Sequence, residues 1–224
     1  MRNSIAAIFV CLCASLLLSI SGISMANAMP GTDPVKNFIF YVDISGSMSL
    51  GYPNEKKDPA KIITAVKLLH ALNDEMPDIA ANVGVYTFGP HQEYRRITPF
   101  DRDALAETFN RIPTDIKFSG RLTPMADGIL NLDTTIAALP GPVSFIVIAD
   151  GESNVPPPPA DVIKDAYDRY GDRVCFHFIS FAQKPPEKAF IKSLSDINNC
   201  SVSVEAVNLL DAAVRADFLE KVFK

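Results

Sequence analysis

Apolar residues recur along this chain in two alternating rhythms. Val35 to Val42 (VKNFIFYV), Val143 to Ala149 (VSFIVIA) and Val174 to Phe181 are near-continuous apolar runs. Runs of this length suit parallel strands buried on both faces. Between them the period lengthens to that of a helix. Over Pro59 to Leu72 the apolar stripe is Ile62, Val66, Leu69 and Leu72, which assigns Lys61, Thr64 and Lys67 to the opposite, polar side. Asn82 to Phe88 and Glu93 to Thr98 are short strands around Gly89-Pro90-His91. So short a link predicts an antiparallel hairpin, because a parallel crossover needs a longer connection. Asp101 caps a helix running to Arg111, and Thr123-Pro124 opens another to about Leu139. Asp161 to Tyr170 is a helix ended by Gly171. Glu187 to Leu194 is a helix, Ser201 to Val207 a strand and Asp211 to Phe223 an amphipathic helix. No internal repeat interrupts the series. Alternating strands and helices predict an α/β domain, with a mostly parallel sheet covered by helices on both faces and made mixed by the hairpin. In such sheets ligands sit in the crevice beyond the carboxyl ends of the strands.

The first thirty residues break this rhythm. Arg2 is the sole charge before Asp33, an apolar stretch follows from Ile5 to about Ile20, and small residues end in Ala26-Asn27-Ala28. That order predicts a secretory signal peptide over 1–28, similar to a bacterial one. A short segment over 29–35 and a domain over 36–224 follow it. The alternative is an uncleaved anchor, since Ser4 to Met25 is nearly long enough to span a bilayer. Cys11 and Cys13 lack the sequence context of a lipidated cysteine. The expectation is therefore an exported protein, periplasmic or at the cell surface, with no membrane span after cleavage.

Composition narrows the partners. Hydrophobic residues make up 48% and charged residues 21%, an ordinary globular balance. Loss of the leader moves the formal charge from −5 to −6, because Arg2 goes with it. An acidic surface repels phosphate backbones, which argues against nucleic acid. Cleavage also leaves two cysteines, Cys175 and Cys200. In an oxidising compartment they are a candidate disulfide, worth roughly 3–4 kcal/mol by loop closure; the alternative is two buried thiols.

The candidate chemistry lies where two apolar strands end. One ends in Asp43-Ile44-Ser45-Gly46-Ser47, the other in Asp150-Gly151-Glu152. Under the parallel reading both carboxylates emerge at one edge. Asp43, Ser45 and Ser47 alternate, with Gly46 allowing a tight turn, so three oxygens can converge. Such hard donors suit Mg²⁺, Mn²⁺ or Ca²⁺. With only two carboxylates, a bound ion keeps Lewis acidity for an outside ligand.

These residues resemble the metal-ion-dependent adhesion site (MIDAS) of von Willebrand factor A (VWA) domains. In addition to the Asp43-x-Ser45-x-Ser47 triplet, that family uses a threonine from a second loop, matched by Thr123 in Gly120-Arg121-Leu122-Thr123-Pro124-Met125. It also uses an aspartate after the fourth strand, matched by Asp150-Gly151. The resemblance covers about residues 36–224. It implies a three-layer, Rossmann-like fold with six strands ordered 3-2-1-4-5-6, strand 3 antiparallel. It further implies that Ser45, Ser47 and Thr123 bind the metal directly or through water, with Asp43 and Asp150 binding it or holding its waters. The last position would go to a Glu or Asp of a partner protein. Ala149 stands where a threonine is common, and Pro156 to Pro159 has no counterpart in the pattern.

Each residue also has a plainer reading. The aspartates are common turn residues, and Ser45, Ser47 and Thr123 could be caps. Glu152 is a candidate for a contact behind the metal ligands, or simply solvated. The four prolines predict an extended polyproline loop beside the site. His70, His91 and His177 share no zinc-like spacing. Cys175 and His177 lie two apart on a strand, so a nucleophile pair is imaginable there. The expectation is a binding module for adhesion or envelope scaffolding. An accessory role in an ATP-driven assembly or metal-insertion machine is the alternative. A metal-dependent phosphohydrolase is the third reading. Against it, Asp43-Ile44-Ser45 lacks the second aspartate of haloacid-dehalogenase phosphatases, and neither a G-x-S-x-G elbow nor a phosphate-binding P-loop is present.

Overall fold

The computed structural model describes residues 34–117, 122–151 and 153–223. The leader expected over 1–28, most of the 29–35 segment, Gly120-Arg121 and Glu152 lie outside the described residues. Strands β1 (Asn37–Asp43), β2 (Asn82–Phe88), β3 (Gln92–Pro99), β4 (Val143–Ala149), β5 (Val174–Ser180) and β6 (Ser203–Glu205) form one sheet ordered β3-β2-β1-β4-β5-β6. Only β3 runs antiparallel to its neighbour. Both the order and the lone antiparallel strand are those the resemblance implies.

Six helices cover the sheet: α1 (Lys61–Glu75), α2 (Arg102–Asn110), α3 (Met125–Ala138), α4 (Pro159–Tyr170), α5 (Pro185–Ser195) and α6 (Ala212–Val222). Side chains alternate across a strand, and β1 divides its own accordingly. Phe38, Phe40 and Val42 pack with α1, α2 and α6 through Leu69, Phe109 and Phe218. Ile39 and Tyr41 pack with α3, α4 and α5 through Ile129, Ile163 and Ile191. Every residue of β1 and β4 is buried, which explains their unbroken apolar sequence. Each fully buried large apolar side chain contributes about 2–3 kcal/mol.

The departures from expectation are local. Strand β6 is shorter than Ser201 to Val207, because the Val202 N–H goes to His177 Nδ1 and Asn208–Leu210 coils into a 3₁₀ turn. Helix α4 starts at Pro159, two residues before Asp161, with Pro158 extended at its cap. A proline without an N–H fits a first helical turn. The proline tract is therefore not a continuous polyproline rod: Pro159 is helical and the Pro156–Pro157 bond is cis. Cys175 and Cys200 are joined by a disulfide across 25 residues, so the bridge replaces both the free-thiol reading and any Cys175 nucleophile. At the sheet's other margin, the β2–β3 pairing shifts register between Val83 and Tyr86, and β3 is mostly exposed. No helix among the described residues is long and apolar enough to cross a membrane.

Candidate metal centre

The centre is assembled from three loops at the carboxyl edge of the sheet. The first begins at Asp43, the buried last residue of β1. Ile44 still donates to Phe88 O at 2.9 Å, which holds the chain against β2 for one more residue. Ser45 N then turns back onto Asp43 Oδ1 at 2.7 Å. This local side-chain acceptor closes a turn that a strand could not make. A 3₁₀ turn over Gly46–Ser49 follows and brings the Ser45 and Ser47 hydroxyl oxygens to 3.2 Å. Three of the predicted ligands are thus gathered by one short turn.

The second loop leaves β4. In the register, Val42 of β1 lies opposite Ile148 of β4, so Asp150 emerges beside Asp43. Gly151 follows with φ +90°, and a Cβ there would come within 2.7 Å of Glu187 O. Only glycine fits that conformation and clearance. The third loop carries Thr123, buried just before α3. Its N–H donates to Asn154 Oδ1 at 2.9 Å, which ties the threonine loop to the loop after Asp150. Gly89, at φ +71°, wedges between the first and third loops: a Cβ would sit 3.0 Å from both Ser45 N and Leu122 O. Asn154 and Gly89 were not singled out from sequence, because both act through distant loops. Leu122, next to buried Thr123, is 62% exposed.

Sequence periodicity placed Lys61 on the polar side of α1, and the structure overturns this. Lys61 is 3% exposed. Its Nζ donates to Asp150 Oδ2 at 2.9 Å, with both side chains buried. The apolar face of α1 is wider than the expected stripe. Lys61 stands in line with Ala65, Leu68 and Leu72, all buried. A buried ammonium requires a paired anion, and Asp150 provides it.

The electrostatics of the cluster are unbalanced. Burial holds Asp43 well above the usual carboxylate range, and the negative charge of Asp150 pushes the same way. Hydrogen bonds from Ser45 and the Lys61 charge oppose this shift. Asp43 Oδ1 has Ser45 N, but Oδ2 is buried and has no hydrogen-bond partner among the described residues. Such an atom bears an uncompensated desolvation cost. The donors around it are carboxylate and hydroxyl oxygens, which fit a hard divalent cation. Among the described residues no three or more His, Cys, Asp or Glu side chains gather as a metal site. The centre is carboxylate-poor and relies on hydroxyls.

The histidines lie elsewhere. His70 pairs with Asn110 and His91 stacks on Tyr86. His177 is buried in β5, where its Nδ1 accepts from Val202 N and burial pushes it down to about 4.

Comparison with solved structures places this arrangement. An aerotolerance-related membrane protein from Bacteroides fragilis matches 84% of this chain over 98% of its own, with a TM-score of 0.63 and 15% identity. A von Willebrand factor type A structure from Catenulispora acidiphila matches 85% over 42% of its own, with a TM-score of 0.57 and 20% identity. Proximal thread matrix protein 1 from the mussel byssus, with a zinc-occupied MIDAS motif, matches 86% over 48% of its own, at 0.56 and 15%. This chain therefore spans nearly all of the first structure but under half of the other two. The sequence matches no family model and no curated protein. At these identities the likeness is one of fold, and the chain has the von Willebrand factor A fold.

Proposed function

We propose that this chain is an exported binding module, not an enzyme, whose metal centre captures an acidic side chain of a protein partner. Asp43, Ser45, Ser47, Thr123 and Asp150 would hold a divalent cation, Mg²⁺ by preference and Mn²⁺ or Ca²⁺ as alternatives. When bound, the cation supplies a Lewis-acidic position for a Glu or Asp carboxylate. The chain's own residues orient and shield that position. Ser45 N fixes the Asp43 carboxylate, Asn154 fixes the threonine loop, and Lys61 fixes Asp150. The observation that carries the reading is Asp43 Oδ2, a buried carboxylate oxygen without a partner among the described residues, beside a second carboxylate and a hydroxyl pair. The zinc-occupied MIDAS of the byssus protein, on the same fold, supports a metal of this kind. The Cys175–Cys200 bridge supports export, because disulfides persist in oxidising compartments.

Calorimetric titration of Mg²⁺, Mn²⁺ and Ca²⁺ into chelator-stripped protein tests this reading, with Asp43→Ala in parallel. The expected result is binding in the wild type that disappears in the variant. No binding by the wild type, even with an acidic peptide added, would sink the metal mechanism.

A further inference from the structure

Two carboxylates and one ammonium are buried together at this centre. We infer that Lys61 is a built-in counter-cation that weakens metal binding by the isolated site and makes tight binding conditional on an anionic outside ligand. The inference rests on the metal-binding reading above and concerns how that site is regulated.

Three observations place the charge. Lys61 Nζ lies 2.9 Å from Asp150 Oδ2, with side-chain exposures of 4% and 1%. Water and salt screen such a pair weakly. The lysine also cannot swing away freely: it is the first residue of α1, and its N–H donates to Leu50 O at 2.8 Å, on the same loop as the two serines. Finally, its charge acts on Asp43 as well as on Asp150. With both carboxylates ionised, the cluster carries a net charge of −1 rather than −2. A divalent ion would bring it to +1, so the loaded centre holds excess positive charge in a buried setting until a carboxylate arrives. Without the lysine, two carboxylates would neutralise the ion by themselves. Lys61 also occupies one oxygen of Asp150, removing it from the set available to a metal. Coupling between metal and acidic ligand must be reciprocal, so the lysine would raise the demand for each by the other.

A plainer role is that Lys61 only neutralises Asp150 for folding. The two roles differ in the metal–carboxylate coupling. Mn²⁺ affinity should be measured with and without saturating acetate in the wild type, Lys61→Gln, Lys61→Met and Lys61→Arg. The neutral variants should bind Mn²⁺ at least about tenfold more tightly than the wild type. Acetate should strengthen Mn²⁺ binding several-fold less in them than in the wild type, and Lys61→Arg should match the wild type. Lys61→Gln keeps a donor for Asp150, so it serves if Lys61→Met does not fold. The inference is overturned if the neutral variants bind no more tightly, or bind tightly yet keep the full acetate gain. It is also overturned if both neutral variants stay unfolded with Mn²⁺ present. If the wild type and every variant fail to bind metal, the metal reading itself falls; if only the contrast between them fails, that reading stands.

Discussion

Strand β1 has a buried polar side chain at each end, and the two ends are finished differently. At the amino end, Asn37 is fully buried and fully engaged. Its Nδ2 donates to Pro140 O at 2.8 Å, and its Oδ1 accepts from Asn82 Nδ2 at 3.0 Å. Nearby, Pro142 O takes the N–H groups of Lys36 and Asn37, and Arg173 donates to Leu139 O and Ile136 O. At the carboxyl end, Asp43 is equally buried but has one oxygen without a partner among the described residues. The same strand, in the same core, thus carries a completed network and an incomplete one. The difference separates a stabilising device from a binding one: the amino edge is satisfied by the chain itself, whereas the carboxyl edge calls for a cation.

If this division is correct, its two ends respond to different agents. The largest effect belongs to the carboxyl end. Asp43→Ala should weaken Mg²⁺ or Mn²⁺ binding at least about 100-fold, read by calorimetry, with the fold intact by circular dichroism. The next concerns His177, which, like Asn37, finds its partner within the chain. Its folded value of about 4 lies below the unfolded 6.5, so its stabilisation is full above pH 6.5 and lost as pH falls toward 4. The urea midpoint should fall over that window by an amount equivalent to as much as about 3 kcal/mol, with or without metal. His177→Gln should flatten the slope. Asn37→Ala should cost about 2 kcal/mol in the same assay, because it strands Asn82 Nδ2 and Pro140 O, and should leave metal affinity unchanged. The smallest effect reverses sign with conditions. Asp43→Asn should stabilise the chelated protein by about 1 kcal/mol, since burial disfavours the charged carboxylate, and should abolish stabilisation by added metal. A metal-dependent response of Asn37→Ala would erase the distinction between the ends.

Much of this was legible from residue order. The strands β2 and β4 fall where the apolar runs place them, and Asp43 and Asp150 follow from the rule that sites form beyond strand ends. Ser45 and Ser47 are near enough in sequence for their convergence to be local. The illegible parts are those settled by distant contacts. A lysine at the start of an amphipathic helix normally reaches water. Lys61 is buried only because Asp150, 89 residues later, arrives on the neighbouring strand. Asn154 gains its role from Thr123, and the end of β6 is set partly by the His177 ring. The shape of the proline tract escaped composition because the same residues serve as both loop and helix start.

The margins of the sheet have a consequence for how many copies can coexist. An open edge offers unpaired N–H and C=O groups to a strand from another molecule. At one edge here, β6 has three residues, and Cys200 just before it is bound to Cys175. At the other, β3 has eight residues but ends in Pro99, carries Arg95 and Arg96, and is paired through shifted register. A short edge and a charged, irregular one are both poor templates for cross-β growth. Crowding should therefore not drive these molecules into fibrils through their sheet margins, and the crevice at the carboxyl ends stays free for recognition.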